Sequence, residues 1–160
     1  MNAPTAIASA LAMTPVDLYR ELHGYFIEDL KVGMSAFYSR TVTEADIVLF
    51  AGISGDFNPL HLNREFSEKS RFGGCIAHGM LTASLISTVV GTKLPGPGAI
   101  YLGQSLRFTA PVRPGHTVTA RAVVTEIELQ KCRCRLFTNC MVSGKVVVEG
   151  EAYMLVPARG

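Results

Sequence analysis

Nowhere does the chain of 160 residues hold an apolar run long enough to cross a membrane, which takes ~18 or more consecutive apolar residues. Residues 1–13 are apolar but have no basic stretch ahead of them, so an export signal is not expected. The cysteines, Cys75, Cys132, Cys134 and Cys140, contain no C-x-x-C pair and have no histidine at zinc spacing. A disulfide framework and a structural metal are therefore not expected. Free thiols without an export signal point to the cytoplasm. Charge is scarce too: 15 Lys and Arg against 13 Asp and Glu leave a net charge of +2, too little to suggest a nucleic-acid partner. The densest basic run, Lys131, Arg133 and Arg135, alternates with Cys132, Cys134 and Leu136 and reads as the solvated face of a strand. No internal repeat or low-complexity segment occurs.

What the sequence does have is material for a core. Hydrophobic residues make up 48% and charged residues 18% of the chain, the balance of a globular protein rather than a disordered one. The length suits one domain, which at this size buries roughly 70% of its unfolded surface without disulfides or metal.

The front of the chain reads as a separate extension over residues 1–27. Met1–Met13 is a loose tail, and Thr14-Pro15-Val16-Asp17 has the cap, proline and acid of a short helix ending near Gly24. A main domain over residues 28–160 follows. A strand is expected near Ser35–Thr41. Thr43-Glu44-Ala45-Asp46 opens a helix with Ile47, Phe50 and Ala51 at helical spacing, which must stop by Gly55 because of Asn58-Pro59. His78 to Val90 is apolar or small almost all round, predicting a helix buried on every side, with Gly91 as its stop and the Leu94–Gly98 loop after it.

The pattern then changes to period two. Ile100–Ala110 reads as one strand, Pro114-Gly115 as a turn, and Val118, Ala120, Ala122 and Val124 as one strand face. Cys132–Val142 is the next strand, with its even-numbered cysteines pointing at the core as small apolar residues. Ser143-Gly144 is a hairpin turn, and Lys145–Val156 closes the chain. An antiparallel sheet needs one face covered, and an apolar helix needs covering all round. A curved sheet wrapped around the long helix meets both needs, an α+β architecture of the hotdog type.

Chemistry concentrates in Ser54-Gly55-Asp56-Phe57-Asn58-Pro59-Leu60-His61. The Asn58-Pro59 break lets a loop curl so that Asp56 and His61 share a cavity, where an acid and an imidazole around one water form a general acid–base pair. The same residues are also turn formers, and Asp56 as a cap on a backbone N–H is an equal alternative on spacing alone. His78-Gly79 opens the long helix, whose first N–H groups lack internal partners and favour negative charge. Glycine there allows a thioester carbonyl close to the backbone; tight helix packing is the other reading. A nucleophilic Cys75 is a further alternative. His78 is expected to orient the loop, and His23 and His116 to lie on the surface.

Together these segments resemble the hydratase-2 motif of MaoC-like proteins: Gly55-Asp56-Phe57-Asn58-Pro59-Leu60-His61, then His78-Gly79-Met80-Leu81, then Ile100–Phe108 and Pro111–Gly115. The resemblance spans Glu28 to Val156, and three separated motifs occur in order. Within the family the likeness is to the short bacterial (R)-specific enoyl-CoA hydratases that supply monomers for polyhydroxyalkanoate synthesis. It implies a hotdog fold and hydration of trans-2-enoyl-CoA to (R)-3-hydroxyacyl-CoA, or the reverse. It implies that Asp56 and His61 hold the attacking water, that the Gly79 N–H receives the thioester oxygen, and that Ser87 hydrogen-bonds near Asp56. Ser54 and Asn58 are expected to shape the loop.

CoA is then the carrier of an acyl thioester substrate, no metal or separate cofactor is needed, and the assembly is a homodimer. Arg64, Lys69, Arg71 and Lys93 are candidates for the CoA phosphates. The rival readings are a 3-hydroxyacyl-carrier-protein dehydratase, a hotdog thioesterase and a non-catalytic acyl-CoA-binding module. The joint presence of Asp56 and His61 favours hydration over the last two.

Overall fold

The structure is a computed structural model and describes residues 15–159. The Thr14 cap and the tail before it lie outside the described residues. In chain order come α1 (Pro15–Leu22), β1 (Ser35–Thr41), α2 (Glu44–Ser54), α3 (Pro59–Leu62), α4 (Arg64–Glu68), α5 (Gly79–Thr92), β2 (Ile100–Gln104), β3 (Arg107–Phe108), β4 (Thr117–Glu128), β5 (Arg133–Val142) and β6 (Lys145–Leu155). The strands form one 6-stranded sheet in the order β1-β4-β5-β6-β2, with β3 also on β6. The pairings are antiparallel.

The core lies between α5 and the inner face of this sheet. Alternation along β4 buries Val118, Ala120, Ala122 and Val124, and the facing strands add Leu136, Cys140, Val148 and Ala152. From α5 come Leu85, Ile86, Val89 and Val90. The alanines and the cysteine at the centre of the sheet are completely buried. Small side chains there leave room for the helix to pack at close range. The β5–β6 hairpin turns at Ser143 and Gly144, with φ of 49° and 80°. Positive φ at both central residues is the two-residue turn whose twist matches the strands it joins.

Several expectations from the sequence need correcting. In this chain α5 is not buried all round: Met80, Ser84, Ser87 and Gly91 form an exposed stripe at helical spacing. The helix has no charged residue, and its serines and threonines lie on both faces, with Ser84 and Ser87 exposed and Thr82 buried, so the open side carries only a weak signal. Gly91 does not stop the helix, which runs on to Thr92. It sits on the open stripe with open space where a β-carbon would stand, and the chain leaves the helix as Leu94 and Gly96 donate back to Val89 and Val90. The strand expected over Ile100–Ala110 breaks into β2 and β3, because at Ser105 the hydroxyl accepts the Glu151 N–H in place of regular pairing.

Cys132 lies before β5, in a left-handed turn residue (φ 52°) after a short 3-10 turn that takes in Lys131. Cys134 and Cys140 do point into the core, and burial pushes their thiols up to about 11 and about 12. His23 and His116 are half-buried rather than on the surface. His23 stacks on Phe26 at 4.2 Å and presses against Gly98, while His116 Nδ1 accepts the Arg113 N–H.

The front segment is stitched onto the loop after α5: Gly24 and Tyr25 donate to the carbonyls of Pro97 and Pro95 at 2.8 Å. Ile27, at 1% exposure, is already part of the core.

Candidate active site

The loop after α2 is built by three successive side-chain hydrogen bonds, each reaching two residues ahead. The Ser54 hydroxyl accepts the Asp56 N–H at 3.2 Å, Asp56 Oδ1 accepts the Asn58 N–H at 3.1 Å, and Asn58 Oδ1 accepts the Leu60 N–H at 3.0 Å. Such turns are what Ser, Asp and Asn form when the backbone must curl. Asn58 thereby caps α3, whose first residue is Pro59. The turn and the acid–base readings of Asp56 are thus compatible, because Oδ1 holds the loop while Oδ2 stays available.

Asp56 Oδ2 lies 3.9 Å from His61 Nε2, with the His61 side chain 11% and the Asp56 side chain 52% exposed. That gap is too long for a direct hydrogen bond. It suits one water hydrogen-bonded to both atoms. The other ring nitrogen of His61, Nδ1, sits 2.8 Å from the Ile76 carbonyl. A carbonyl only accepts, so Nδ1 carries a proton and Nε2 is the ring nitrogen that faces Asp56.

Gly79 is the first residue of α5. The residue before it, His78, occupies the cap position and supplies no side-chain cap, so the first N–H groups of the helix remain open. A β-carbon on Gly79 would lie 2.8 Å from the Phe108 ring, so glycine there permits close packing against Phe108, the other reading of this position, while its backbone lines the cleft.

Asp56, His61 and Gly79 line one cleft of about 470 Å³, walled by apolar side chains such as Phe72, Phe108, Val112 and Val148. An acid–base pair and an open helix N-terminus in one apolar cleft can move protons and stabilise a developing negative oxygen.

His78 reaches the Asp56 loop, as expected of it. It is 2% exposed; its Nε2 lies 2.9 Å from the Asp56 carbonyl oxygen, and its ring is tilted by 31° against that of His61, with centroids 3.8 Å apart. The only sequence signal for it was its place beside Gly79. Ser87, expected near Asp56, is exposed and borders a separate groove with Phe50, Met80 and Tyr101. It stands on α5 more than two turns beyond Gly79.

Of the four cations considered for CoA, Arg71 lines the cleft and lies over Phe72. Arg64 borders a neighbouring groove, Lys93 donates to the Phe37 carbonyl, and Lys69 ends α4. Cys75 faces the Ser67 hydroxyl at 3.2 Å and borders that neighbouring groove, not the cleft.

Ligand atoms of Asp56, His61 and His78 lie within 4.8 Å of one another. The two imidazoles are tilted by 31° with centroids 3.8 Å apart, and His61 Nδ1 and His78 Nε2 are already directed at the Ile76 and Asp56 carbonyls.

The model of the MaoC like domain matches residues 30–145. The chain belongs to the MaoC-like family. It is 54% identical over 136 residues to the (R)-specific enoyl-CoA hydratase of Rhodospirillum rubrum, a match covering 85% of this chain and 94% of that protein. It is 45% identical over 139 residues to the 3-hydroxybutyryl-CoA dehydratase of Methylorubrum extorquens, covering 87% of this chain and 88% of the other. Among solved structures, the (R)-hydratase of Aeromonas caviae involved in polyhydroxyalkanoate biosynthesis superposes with a TM-score of 0.79 at 44% identity, covering 81% of this chain and 99% of that one. The MaoC-like fold of this chain is thus the hotdog arrangement, an antiparallel sheet around one long helix.

Proposed function

We propose that this MaoC-like protein catalyses the reversible (R)-specific hydration of trans-2-enoyl-CoA to (R)-3-hydroxyacyl-CoA. The observation that carries this reading is the 3.9 Å gap between Asp56 Oδ2 and His61 Nε2 in the same cleft as the uncapped start of α5. The gap holds a water that gives one hydrogen bond to each acceptor and points an oxygen lone pair at C3 of the enoyl chain. As the C3–O bond forms, electrons of the C2–C3 double bond shift toward the thioester oxygen. The Gly79 N–H and the positive end of α5 stabilise that charge. One of the two groups takes the proton leaving the water, and a proton is delivered to C2, so water is added with no net change on the enzyme. Asp56 and His61 act around one water, and the proton steps are assigned to the pair. The thioester and the helix terminus supply the activation, so no metal or separate cofactor enters.

The functional unit is a homodimer acting in the cytoplasm. An apolar groove joins α2, α5 and β2, lined by Phe50, Met80, Tyr101 and Leu102, with Met80 56% and Leu102 50% exposed. Contiguous exposed apolar surface of this kind marks an association site, and β2 ends the sheet with an unpaired edge. A second copy covers this surface and closes the open side of the cleft. Arg71 is the cation placed to meet the CoA moiety.

The test is loss of the enoyl absorbance of crotonyl-CoA, with the product read by an (R)- or (S)-specific dehydrogenase. Wild type is expected to give the (R) product, and Asp56→Asn to lose about 10³-fold or more in rate, as expected when a general acid–base group worth 10²–10⁴-fold is removed. Turnover of a carrier-protein thioester but not of any enoyl-CoA would shift the reading to the dehydratase. Binding of acyl-CoA without turnover of either would shift it to the binding module.

A further inference from the structure

His78 makes contact with every part of the proposed machinery while lining its floor. Its Nε2 reaches the backbone carbonyl of Asp56 at 2.9 Å. Since that carbonyl accepts, Nε2 carries the proton and donates. Its ring lies on the His61 ring, with centroids 3.8 Å apart, and Phe50 of α2 backs it at 5.0 Å. Along the chain it precedes Gly79 directly, and its own carbonyl accepts the Thr82 N–H of the first turn of α5 at 3.2 Å.

Two features are costly for stability alone. His78 Nδ1 is buried without a partner, a penalty that a flat apolar ring of the same shape would avoid. The cap position it occupies would be better served by Ser, Thr, Asp or Asn, yet its side chain makes no cap bond.

We propose that His78 is a positioning residue that holds Asp56 and His61 in register with the Gly79 N–H. It rests on the hydratase reading above and goes beyond it in assigning a residue that acts through others. The Asp56 loop is exposed and comes from α2, His61 comes from α3, and Gly79 belongs to α5. One buried ring ties the three together: the hydrogen bond fixes the Asp56 backbone, the stack fixes the plane of His61, and the peptide bond fixes Gly79. Misplacing reacting groups by about 1 Å costs about 100-fold in rate, so the effect belongs in kcat, with little change in KM.

The experiment uses the full chain and crotonyl-CoA. His78→Phe keeps the stack and removes the donor; His78→Gln keeps a donor and removes the ring. Both are melted thermally beside wild type. The expected result for His78→Phe is a fall in kcat of about 100-fold with KM within about twofold, and partial recovery of kcat in His78→Gln. The His61→Ala/His78→Phe double variant should lose clearly less than the product of the two single losses, because one of the two groups that His78 positions is already gone.

A kcat within about twofold of wild type in both single variants would overturn the proposal. So would losses that multiply in the double variant, or two single variants that fail to fold, since each result makes His78 a general structural residue. If wild type itself does not hydrate any enoyl-CoA, the functional reading fails first and this proposal with it. An active wild type with active His78 variants sinks this proposal alone.

Discussion

The two longer helices flanking the cleft begin in opposite ways. α2 is closed: the Thr43 hydroxyl accepts the Asp46 N–H at 3.2 Å, and the Asp46 carboxylate accepts the Thr43 N–H at 2.8 Å. Arg40 pairs with the same carboxylate. α5 is left open, with a histidine where a capping residue would stand and a glycine after it. A capped terminus has used its N–H groups on its own side chains, and typically gains about 1 kcal/mol by doing so. An uncapped one keeps those groups for something outside the chain. The difference separates a helix start that satisfies itself from one whose first N–H groups are left open beside the cleft.

The comparison can be broken most decisively at residue 79. Proline is well accommodated at the first position of a helix, and His78, at φ −57° and ψ 136°, already has the extended conformation that proline demands of its predecessor. Gly79→Pro removes the N–H, and the enoyl-CoA hydration rate should fall by roughly 10²–10³-fold, the cost of losing one such donor. Gly79→Ala is the control, since it brings the same clash with Phe108 but keeps the N–H. If the two variants are equally slow, the N–H is not what the open terminus provides.

At α2 the effects should fall on stability alone. Thr43→Ala should lower unfolding free energy by about 1 kcal/mol in a denaturant titration, with kcat unchanged. A rate loss there would erase the distinction between the two termini.

The same box should respond to acid. The Thr43 N–H and hydroxyl, and then Arg40, hold the Asp46 carboxyl below its ordinary value of 3.8. Its contribution is therefore present above that value and disappears as pH falls through the lower folded-state value. The stability gap between wild type and Asp46→Asn should narrow in acid melts below about pH 4. The smallest effect is expected for Glu44→Pro, proline at the first position of α2, which should move stability by no more than about 0.5 kcal/mol. Crotonyl-CoA turnover should be untouched, in contrast to Gly79→Pro.

Much of this was legible in the sequence, because the signals were local. Thr43, Asp46 and Gly55 bracket α2 at its ends, and the period-two residues of β4 are buried as the pattern requires. The loop Ser54–His61 was legible as a turn and as a candidate acid–base pair, and the two readings are compatible: Asp56 Oδ1 accepts the Asn58 N–H while Oδ2 faces His61.

What the sequence hid depends on distant partners. Ser105 breaks a strand because of where Glu151 lies, and His78 matters because α2 and α3 bring Asp56 and His61 against it. The open stripe of α5 was hidden for another reason. The helix carries no charge, and Met80 among Ser84, Ser87 and Gly91 blurs the contrast with Leu85, Ile86, Val89 and Val90 on the covered face, so the stripe reads as small rather than as solvent-facing.

The distribution of thiols gives the molecule its own record of opening. Cys134 and Cys140 lie on the covered face of the sheet, and burial pushes both thiols far above neutral pH; Cys75 and Cys132 are partly accessible. Alkylation at neutral pH, counted by mass, therefore has two clocks. Label at Cys75 or Cys132 times local breathing at the rim. Label at Cys134 or Cys140 times separation of the helix from the sheet, without any added probe.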